Sequence, residues 1–197
     1  MSAYIDIGFV YYKGKEELEK DIILWSNNLY EHCKQISYKT FVDVGQKNFR
    51  FEVNSESELR EVFLGVYSGR YIDCELMYTY NSLVFNLLFS IEYTEDNQYG
   101  IIFSIQDYEL FGENMSSDNV NDITKAISLQ LDDLCKKYNF KYAYCDCEAS
   151  IEYSIEEIEL IEKNTMSKYS IVVINNNHVG RIMENNWCID GITTRVF

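Results

Sequence analysis

The chain has 197 residues, of which 47% are hydrophobic and 25% charged, and its formal net charge at neutral pH is −15. This composition is ordinary for a globular protein and excludes a largely disordered chain. Because no apolar run approaches the roughly 20 residues that span a bilayer, a transmembrane helix is excluded as well. The length suits one domain, so we predict a single α+β domain over residues 1–197.

The first third of the chain predicts a strand, a long helix, a short hairpin and a second helix. Residues 3–12 alternate in the period of a strand, and residues 15–36 repeat apolar side chains at spacings of three and four, which indicates an amphipathic helix. Residues 40–53 predict a hairpin. A capping-box pattern that begins at Ser55 predicts a helix over residues 55–68.

Residues 71–107 predict three consecutive antiparallel strands, which form the centre of the predicted sheet. A two-residue turn at Asn81-Ser82 and a second turn over Thr94–Gln98 place the apolar residues of all three strands on one face. The opposite face mixes acids and apolar side chains, which include Glu75, Glu92, Met77, Val84, Leu88 and Ile102.

The remainder of the chain predicts a third long helix, two strands and a short helix. Residues 117–138 carry an apolar stripe behind a serine-rich cap. Residues 140–153 and 169–174 predict strands, and a capping box that begins at Ser154 predicts the short helix between them. Residues 178–197 carry weaker strand patterns.

Strands and helices alternate around the meander, which is typical of the α+β class. The predicted fold is an antiparallel sheet built around the three-stranded meander of residues 71–107. Its three main helices, over residues 15–36, 55–68 and 117–138, are predicted to pack on one face of that sheet. The other face is half polar and half apolar, so it is expected to meet solvent or a partner.

The negative charge is unevenly distributed along the chain. Residues 1–50 carry seven acidic and seven basic side chains, whereas residues 51–197 carry 25 acidic and ten basic ones. Such a field repels nucleic acid and anionic membrane and attracts basic partners. We therefore expect a basic protein partner and neither nucleic acid nor membrane. Solubility alone is the open alternative explanation of the charge.

The N-terminus and the cysteines indicate a cytoplasmic protein. The first residues, MSAYIDIGFVYYKG, lack a basic leader and a small-residue cleavage site. The six cysteines are scattered and lie mostly within apolar patterns, where a free thiol behaves as a small hydrophobic group. Free thiols are typical of a reducing compartment.

The sequence contains no motif that is diagnostic of a catalytic site. Nucleophile-elbow, phosphate-loop, dinucleotide-binding and zinc-protease patterns are absent, and only two histidines exist. His32 and Cys33 are neighbours, but adjacent residues on a helix point about 100° apart, which argues against a catalytic pair. His178 follows three asparagines and is expected in an exposed loop. We predict neither catalytic residues nor a cofactor.

Cys145 and Cys147 resemble half of a metal site. On a strand the two thiols share one face, whereas zinc sites usually separate two cysteines by two residues. Buried free thiols are the preferred interpretation, and no metal site is predicted. Clustered carboxylates leave a metal-dependent enzyme open as an alternative, together with a small-molecule-binding or scaffold module.

A resemblance over the whole chain suggests a function. An acidic α+β chain without proline, which opens with the strand YIDIGFVYY and a long amphipathic helix, resembles the immunity proteins of bacterial polymorphic toxin systems. The resemblance implies a cytoplasmic, non-enzymatic inhibitor, encoded beside its toxin, that binds the toxin domain and blocks its active site. Such toxins are often nucleases, whose basic surfaces would suit this acidic chain.

Acidic side chains are the candidate binding residues for a basic toxin. The first candidate patch contains four acids, Asp132, Asp133, Glu95 and Asp96. Exposed tyrosines are expected beside them, because the chain has 17 tyrosines and tyrosine is common at interfaces. Glu75 and Glu92 mark a second candidate docking surface on the mixed face of the meander.

Overall fold

The structure is a computed structural model that describes residues 3–12, 15–40, 50–67, 71–80, 83–94, 98–112, 115–161 and 167–196. Its contacts divide the chain into two compact units. The larger unit contains Met1–Lys13 and Glu92–Phe197, and the smaller unit contains Gly14–Ile91. The expectation of a single domain stays a prediction.

The described residues of the smaller unit form four antiparallel strands and two helices. Its elements are α1 (Lys15–His32), β2 (Cys33–Thr40), β3 (Arg50–Glu52), α2 (Glu56–Tyr67), β4 (Tyr71–Tyr80) and β5 (Leu83–Tyr93), whose last two residues belong to the larger unit. The strand order is β3-β2-β4-β5. β2 pairs with β3 through residues 37–39 and 50–52, so β2 lies earlier in the chain than the first strand of the predicted hairpin. Residues 41–49, which contain most of that predicted strand and its turn, lie outside the described residues.

The β4–β5 hairpin has the predicted register. Tyr80 lies opposite Leu83 and Leu76 lies opposite Leu87, so the apolar residues of both strands share one face. The α2 helix packs on this face, where the ring of Phe63 stacks on that of a β5 phenylalanine with centroids 3.9 Å apart. A hairpin register is a local property, since a one-residue slip would turn every apolar side chain away from the core.

The larger unit is built on a five-stranded antiparallel sheet. Its elements are β1 (Tyr4–Tyr12), β6 (Gln98–Gln106), α3 (Asp107–Phe111), α4 (Ser117–Cys135), β7 (Tyr142–Cys147), α5 (Ile155–Leu160), β8 (Ile171–Asn176) and β9 (Val179–Glu184). The strand order is β6-β1-β7-β8-β9. Because β1 lies between β6 and β7, the N-terminal strand is buried in the middle of this sheet.

Helices cover both faces of the five-stranded sheet. Ile155 and Ile158 of α5 join a buried cluster that includes Val10 of β1. On α4, the hydroxyl of Ser128 donates a 2.6 Å hydrogen bond to the carboxylate of Glu184 on β9. The strand registers place Val10 and Glu184 on opposite faces, because side chains alternate along each strand. The two helices therefore sandwich the sheet.

Tyrosines form much of the core beneath α5. The rings of Tyr144 and Tyr169 are stacked with centroids 4.4 Å apart, and the hydroxyl of Tyr142 donates a 2.7 Å hydrogen bond to a backbone carbonyl. Six tyrosines are buried among the described residues: Tyr11, Tyr99, Tyr138, Tyr142, Tyr144 and Tyr169. The high tyrosine content thus serves the core to a large extent, rather than only a surface.

The predicted layout of the fold is wrong, although helices and antiparallel strands are mixed as expected. The described residues contain nine strands and five helices, rather than a three-stranded meander with three helices on one face. The reason is visible in Ile171–Asn176, whose first four side chains are all buried. A strand that is apolar on both faces needs cover on both sides.

Two of the three predicted helices extend too far. The helix predicted over residues 15–36 ends at His32, and the helix predicted over residues 117–138 ends at Cys135. Ile36 fits the helical spacing, but it is a buried strand residue opposite Leu76. Apolar spacing cannot show where a helix gives way to a strand when the same residues fit both periods.

Candidate functional site

Carboxylates gather at one end of the five-stranded sheet, where β1 begins and β7 ends. Asp6 and Asp146 lie directly opposite each other on these two strands. Asp107 begins α3 and Glu148 follows β7. Asp190 lies in residues 185–196, which follow β9 and which we call the C-terminal segment. We call these five residues the acidic cluster. Four of them act on one common neighbour, because Glu148, Asp146, Asp107 and Asp190 all raise the pKa of the Cys147 thiol, although burial is the larger cause.

Asp146 is a buried carboxylate with three hydrogen-bond donors. It accepts from the backbone N–H groups of Cys147 at 2.8 Å and Ser170 at 2.7 Å, and from the indole Nε1 of Trp187 at 3.1 Å. Burial raises the pKa of Asp146, the three hydrogen bonds oppose the shift, and the charge of Asp190 adds to it. The carboxylate therefore connects β7, β8 and the C-terminal segment.

Asp6 is the second buried carboxylate of the acidic cluster. It is 9% exposed and accepts a short hydrogen bond from the hydroxyl of Ser104. Burial raises the pKa of Asp6, and the charge of Glu148 acts in the same direction. Burial is the main cause of the raised pKa in both Asp6 and Asp146, so each carboxylate carries a desolvation cost in the folded protein at neutral pH.

The raised pKa of Asp6 gives a prediction for pH dependence. A carboxyl whose pKa is higher in the folded state stabilises the fold below its unfolded value, near 3.8, and loses that stabilisation as pH rises through the folded pKa. We therefore expect Asp6→Asn to raise the melting temperature by a few degrees at pH 7 and by much less at pH 4. Thermal unfolding at both pH values measures this difference.

A matched variant controls for the general effect of removing a negative charge. Asp133→Asn removes an exposed carboxylate whose pKa is lowered by a hydrogen bond from Lys136, so it should not stabilise the protein at pH 7. Equal gains for Asp6→Asn at pH 4 and pH 7 would contradict the assignment.

Glu148 adopts a backbone conformation that L-residues rarely occupy. Its φ is 48°, and its N–H donates a 2.8 Å hydrogen bond to the carbonyl of Tyr4. Left-handed backbone costs a residue with a Cβ about 1–2 kcal/mol, and only glycine adopts it freely. The acidic cluster thus keeps an exposed carboxylate at a strained position, where glycine would fit better.

We expect Glu148→Gly to raise the free energy of unfolding by about 1 kcal/mol, because it relieves backbone strain. It also removes a charge that opposes ionisation of Asp6. Chemical denaturation measures the gain. Ser150→Gly, two residues away and without positive φ, should instead destabilise slightly through the entropy of the unfolded chain. A loss of stability in Glu148→Gly would refute the strain argument.

The described segments around the acidic cluster carry many more acidic than basic side chains. Five described segments meet there, residues 3–8, 104–112, 115–124, 144–150 and 185–196, and we call them the acidic end. Backbone hydrogen bonds join these segments, as from Asp107 to Ala3 and from Val196 to the Asn121 side chain. They carry eight acidic side chains and one basic one, Arg195, which is buried and paired with Glu184.

The predicted patch on α4 lies away from the acidic end. Asp133 is exposed and forms a 2.5 Å ion pair with Lys136, while an Asp132 oxygen lies against Gly180 of β9. Both acids are in the last turns of α4, where Lys136 and Lys137 follow. Glu95 and Asp96, the other two members of that patch, lie outside the described residues.

The two acids of the second predicted surface are in different units. Glu92 accepts a 3.2 Å hydrogen bond from the backbone N–H of Ile151. Ile151 packs against the buried cluster that contains Ile155 and Ile158 of α5. Glu75 lies on β4 of the smaller unit, opposite Leu88 and half-buried. Within the larger unit, Glu92 and the α4 acids therefore lie on opposite sides of the sheet.

Sequence reasoning missed the whole acidic cluster. A signal was present in two segments, since Asp6 in YIDIG and Asp146 in CDC are single acids within otherwise apolar strands. A charged side chain in a strand that is buried on both faces must have hydrogen-bond partners, so such a position indicates a buried polar network. Asp107, Glu148 and Asp190 follow strands or lie in turns, where acids are common, and gave no signal.

The thiol of Cys147 is only partly buried, whereas the sequence predicts buried thiols at both Cys145 and Cys147. All six cysteines are free thiols, and Cys145 is fully buried with its pKa raised by that burial. His178 is exposed in the turn between β8 and β9. Within the described part of the chain, no group of three or more His, Cys, Asp or Glu residues is arranged to hold a metal ion.

None of the helices in the described residues is long and apolar enough to cross a membrane.

Comparison with known proteins identifies the family of the chain. No curated protein and no solved structure matches the chain. The model of one protein family, described as immunity protein 64, matches residues 1–195. Since this match covers nearly every residue, the chain belongs to the immunity protein 64 family.

Proposed function

We propose that this chain binds and neutralises a cognate bacterial toxin domain, a nuclease with a basic substrate surface, and that it does so without catalysis. It acts in the cytoplasm as one domain. The observation that carries the proposal is the charge of the acidic end, with eight acidic side chains and only the buried Arg195 as a base. Membership of an immunity protein family supports the inhibitory role.

The acidic end suits the surface of a nuclease for a physical reason. A nuclease binds phosphates through lysine and arginine, and a protein that presents carboxylates to those same side chains competes with nucleic acid. Complementary charge also raises the rate of association, by up to several orders of magnitude at low salt. Exposed acids at the rim provide this attraction, and Asp118, Asp122 and Glu148 are exposed there.

The acids selected from the sequence alone remain two separate proposed surfaces. Asp132 and Asp133 lie on α4 and belong to the first, whereas Glu75 and Glu92 lie on strands and belong to the second. Two features favour the acidic end over the α4 acids: Asp133 is already paired with Lys136, and a second basic side chain, Lys137, follows directly in the chain. We retain the α4 acids as a proposal that charge reversal compares with the acidic end.

Co-expression with the C-terminal domain of the protein encoded by the neighbouring gene tests the function. We expect the unaltered chain to rescue growth from that domain, and the purified pair to bind. Failure of both would refute the proposal.

Charge reversal tests the surface. Asp118→Lys, Asp122→Lys and Glu148→Lys together should slow association by about tenfold or more at low salt, with a smaller effect at high salt. Glu156→Lys and Glu159→Lys on α5 are the matched control, because both acids are exposed outside the acidic end. Asp132→Lys with Asp133→Lys measures the alternative surface. Equal effects of all three sets would contradict a specific acidic end.

A further inference from the structure

A tight turn in the C-terminal segment exposes one large apolar side chain. The turn runs over residues 188–193, and Ile192 within it is 82% exposed. Ile189, three residues earlier, is fully buried, so the turn carries one buried and one exposed apolar side chain. Single exposed apolar residues are common on proteins. The conformation around Ile192 therefore decides whether it is a candidate binding residue.

The conformation of the turn is fixed by Asp190. One oxygen of its carboxylate accepts hydrogen bonds from the backbone N–H groups of Ile192 at 3.2 Å and Thr193 at 3.0 Å. The other oxygen accepts from the Thr193 hydroxyl at 2.6 Å. The N–H of Cys188 donates to the Thr193 carbonyl at 2.8 Å, and Gly191 takes the positive φ of 76° that closes the turn. The backbone that carries Ile192 is therefore held from several sides.

The turn is also anchored to the body of the larger unit. The N–H of Ile189 donates to the Thr124 hydroxyl of α4 at 3.4 Å. The indole Nε1 of Trp187, two residues earlier, donates to the carboxylate of Asp146. Gly191 lies so close to Cys147 that an added Cβ would stand 3.3 Å from the Cys147 Cβ. The turn thus rests on α4 and on the acidic cluster.

An exposed apolar side chain on a rigid backbone is typical of a residue that anchors a protein–protein interface. Residues that dominate binding energy are apolar or aromatic side chains near the centre of an interface, surrounded by polar groups that exclude water. A side chain on a rigid backbone loses little entropy when it is bound. Ile192 has such a backbone, and the surrounding acidic end supplies the charged rim.

We propose that Ile192 is the apolar anchor of toxin recognition and inserts into an apolar pocket that is bordered by lysine or arginine on the toxin. The proposal rests on the proposed function and adds the contact at its centre. Charge identifies the occupant: a second copy of this chain would bring another strongly acidic surface and be repelled, whereas a basic surface is attracted. Val196, four residues later, is also 78% exposed, and its N–H donates a hydrogen bond to the Asn121 side chain.

Substitution of Ile192 tests the proposal against the toxin domain encoded by the neighbouring gene. We expect Ile192→Ala to weaken binding about thirtyfold or more, mainly through faster dissociation, and Ile192→Asp to weaken it further. Leu160→Asp is the matched control, because Leu160 on α5 is 80% exposed outside the acidic end. It should change affinity less than twofold. Binding kinetics and melting temperature are measured for each variant.

The outcomes separate this proposal from the one on which it rests. If the unaltered chain binds the toxin domain and Ile192→Ala binds equally well, Ile192 is not the anchor, while the inhibitory function stands. Equal losses for the Ile192 variants and Leu160→Asp would also overturn the anchor. If the unaltered chain does not bind that domain at all, the proposed function itself fails. Because Ile192 is exposed, the Ala variant should keep the parent's melting temperature, so a loss of binding reports on the contact.

Discussion

Replacing Arg195 by methionine is expected to lower the free energy of unfolding of the larger unit by about 3 kcal/mol. The Arg195 side chain is 5% exposed, and its guanidinium lies 2.5 Å from the Glu184 carboxylate. A second guanidinium nitrogen donates to the Ser170 carbonyl at 3.4 Å. Removing one partner of a buried ion pair costs about 3–5 kcal/mol. We expect the lower end because the Glu184 side chain, 28% exposed, keeps access to water.

The loss of Arg195 should also release the C-terminal segment. The backbone N–H of Arg195 donates to the Asn186 carbonyl, so the side chain and the backbone of this residue together hold the end of the chain. Chemical denaturation measures the stability, and binding to the toxin domain measures the effect on the turn at Ile192. Lys136→Met is the control, because it removes a cation from the exposed pair with Asp133, and exposed pairs contribute little. Similar midpoints for the two variants would contradict the assignment.

Gly8→Ala is expected to destabilise the larger unit by about 3 kcal/mol through a steric clash in the tyrosine core. An added Cβ at Gly8 would lie 2.2 Å from the Cζ atom of Tyr144. Tyr144 is fully buried and stacked on Tyr169, so its ring has no open space into which it could move. Extra atoms in a well-packed core typically cost about 1–3 kcal/mol, and the rigid ring places this case at the upper end.

Another glycine provides the control for the clash at Gly8. At Gly180 an added Cβ would lie even closer, 2.0 Å, to an oxygen of Asp132. That oxygen is at the end of a half-exposed, rotatable side chain, so a change of rotamer relieves most of the contact. Gly180→Ala should therefore cost clearly less than Gly8→Ala in thermal unfolding. If the two variants lost equal stability, rigidity of the tyrosine stack would not be the cause.

A double variant separates the clash from other effects of alanine on β1. Tyr144→Leu removes the ring that meets the new Cβ and is itself destabilising, because it leaves a cavity beside Tyr169. Gly8→Ala added to Tyr144→Leu should then cost much less than it does alone. A sum of two independent losses would show that the two positions are not coupled.

Features that depend on a few neighbouring residues were predictable from the sequence. The cap of α5 is an example: the Ser154 hydroxyl accepts from the N–H of Glu157 at 3.1 Å, and the Glu157 carboxylate accepts from the N–H of Ser154 at 2.8 Å. The cap of α2 at Ser55 and the register of the β4–β5 hairpin were predicted for the same reason. Such contacts join residues close in sequence, so their geometry is contained in a short pattern.

The candidate site depended on contacts that no short pattern contains. Asp6 meets Asp146 only because β1 inserts between β6 and β7, and the hydroxyl that binds Asp6 comes from Ser104, 98 residues away. Period and composition indicate that a segment is a strand, but they do not specify its neighbours in the sheet. For the same reason Gly8 gave no sign of the Tyr144 ring above it.

The sequence by itself determined the net charge of −15, the prediction that the cysteines are free thiols and the positions of most helices and strands. Only the tertiary structure decided where that charge is concentrated, which tyrosines are buried and which apolar side chain a rigid turn exposes. Charge and propensity are sums over residues, so the order of residues is enough to obtain them. A site is a set of distances between segments far apart in the chain, and those distances exist only after strand pairing and core packing have brought the segments together.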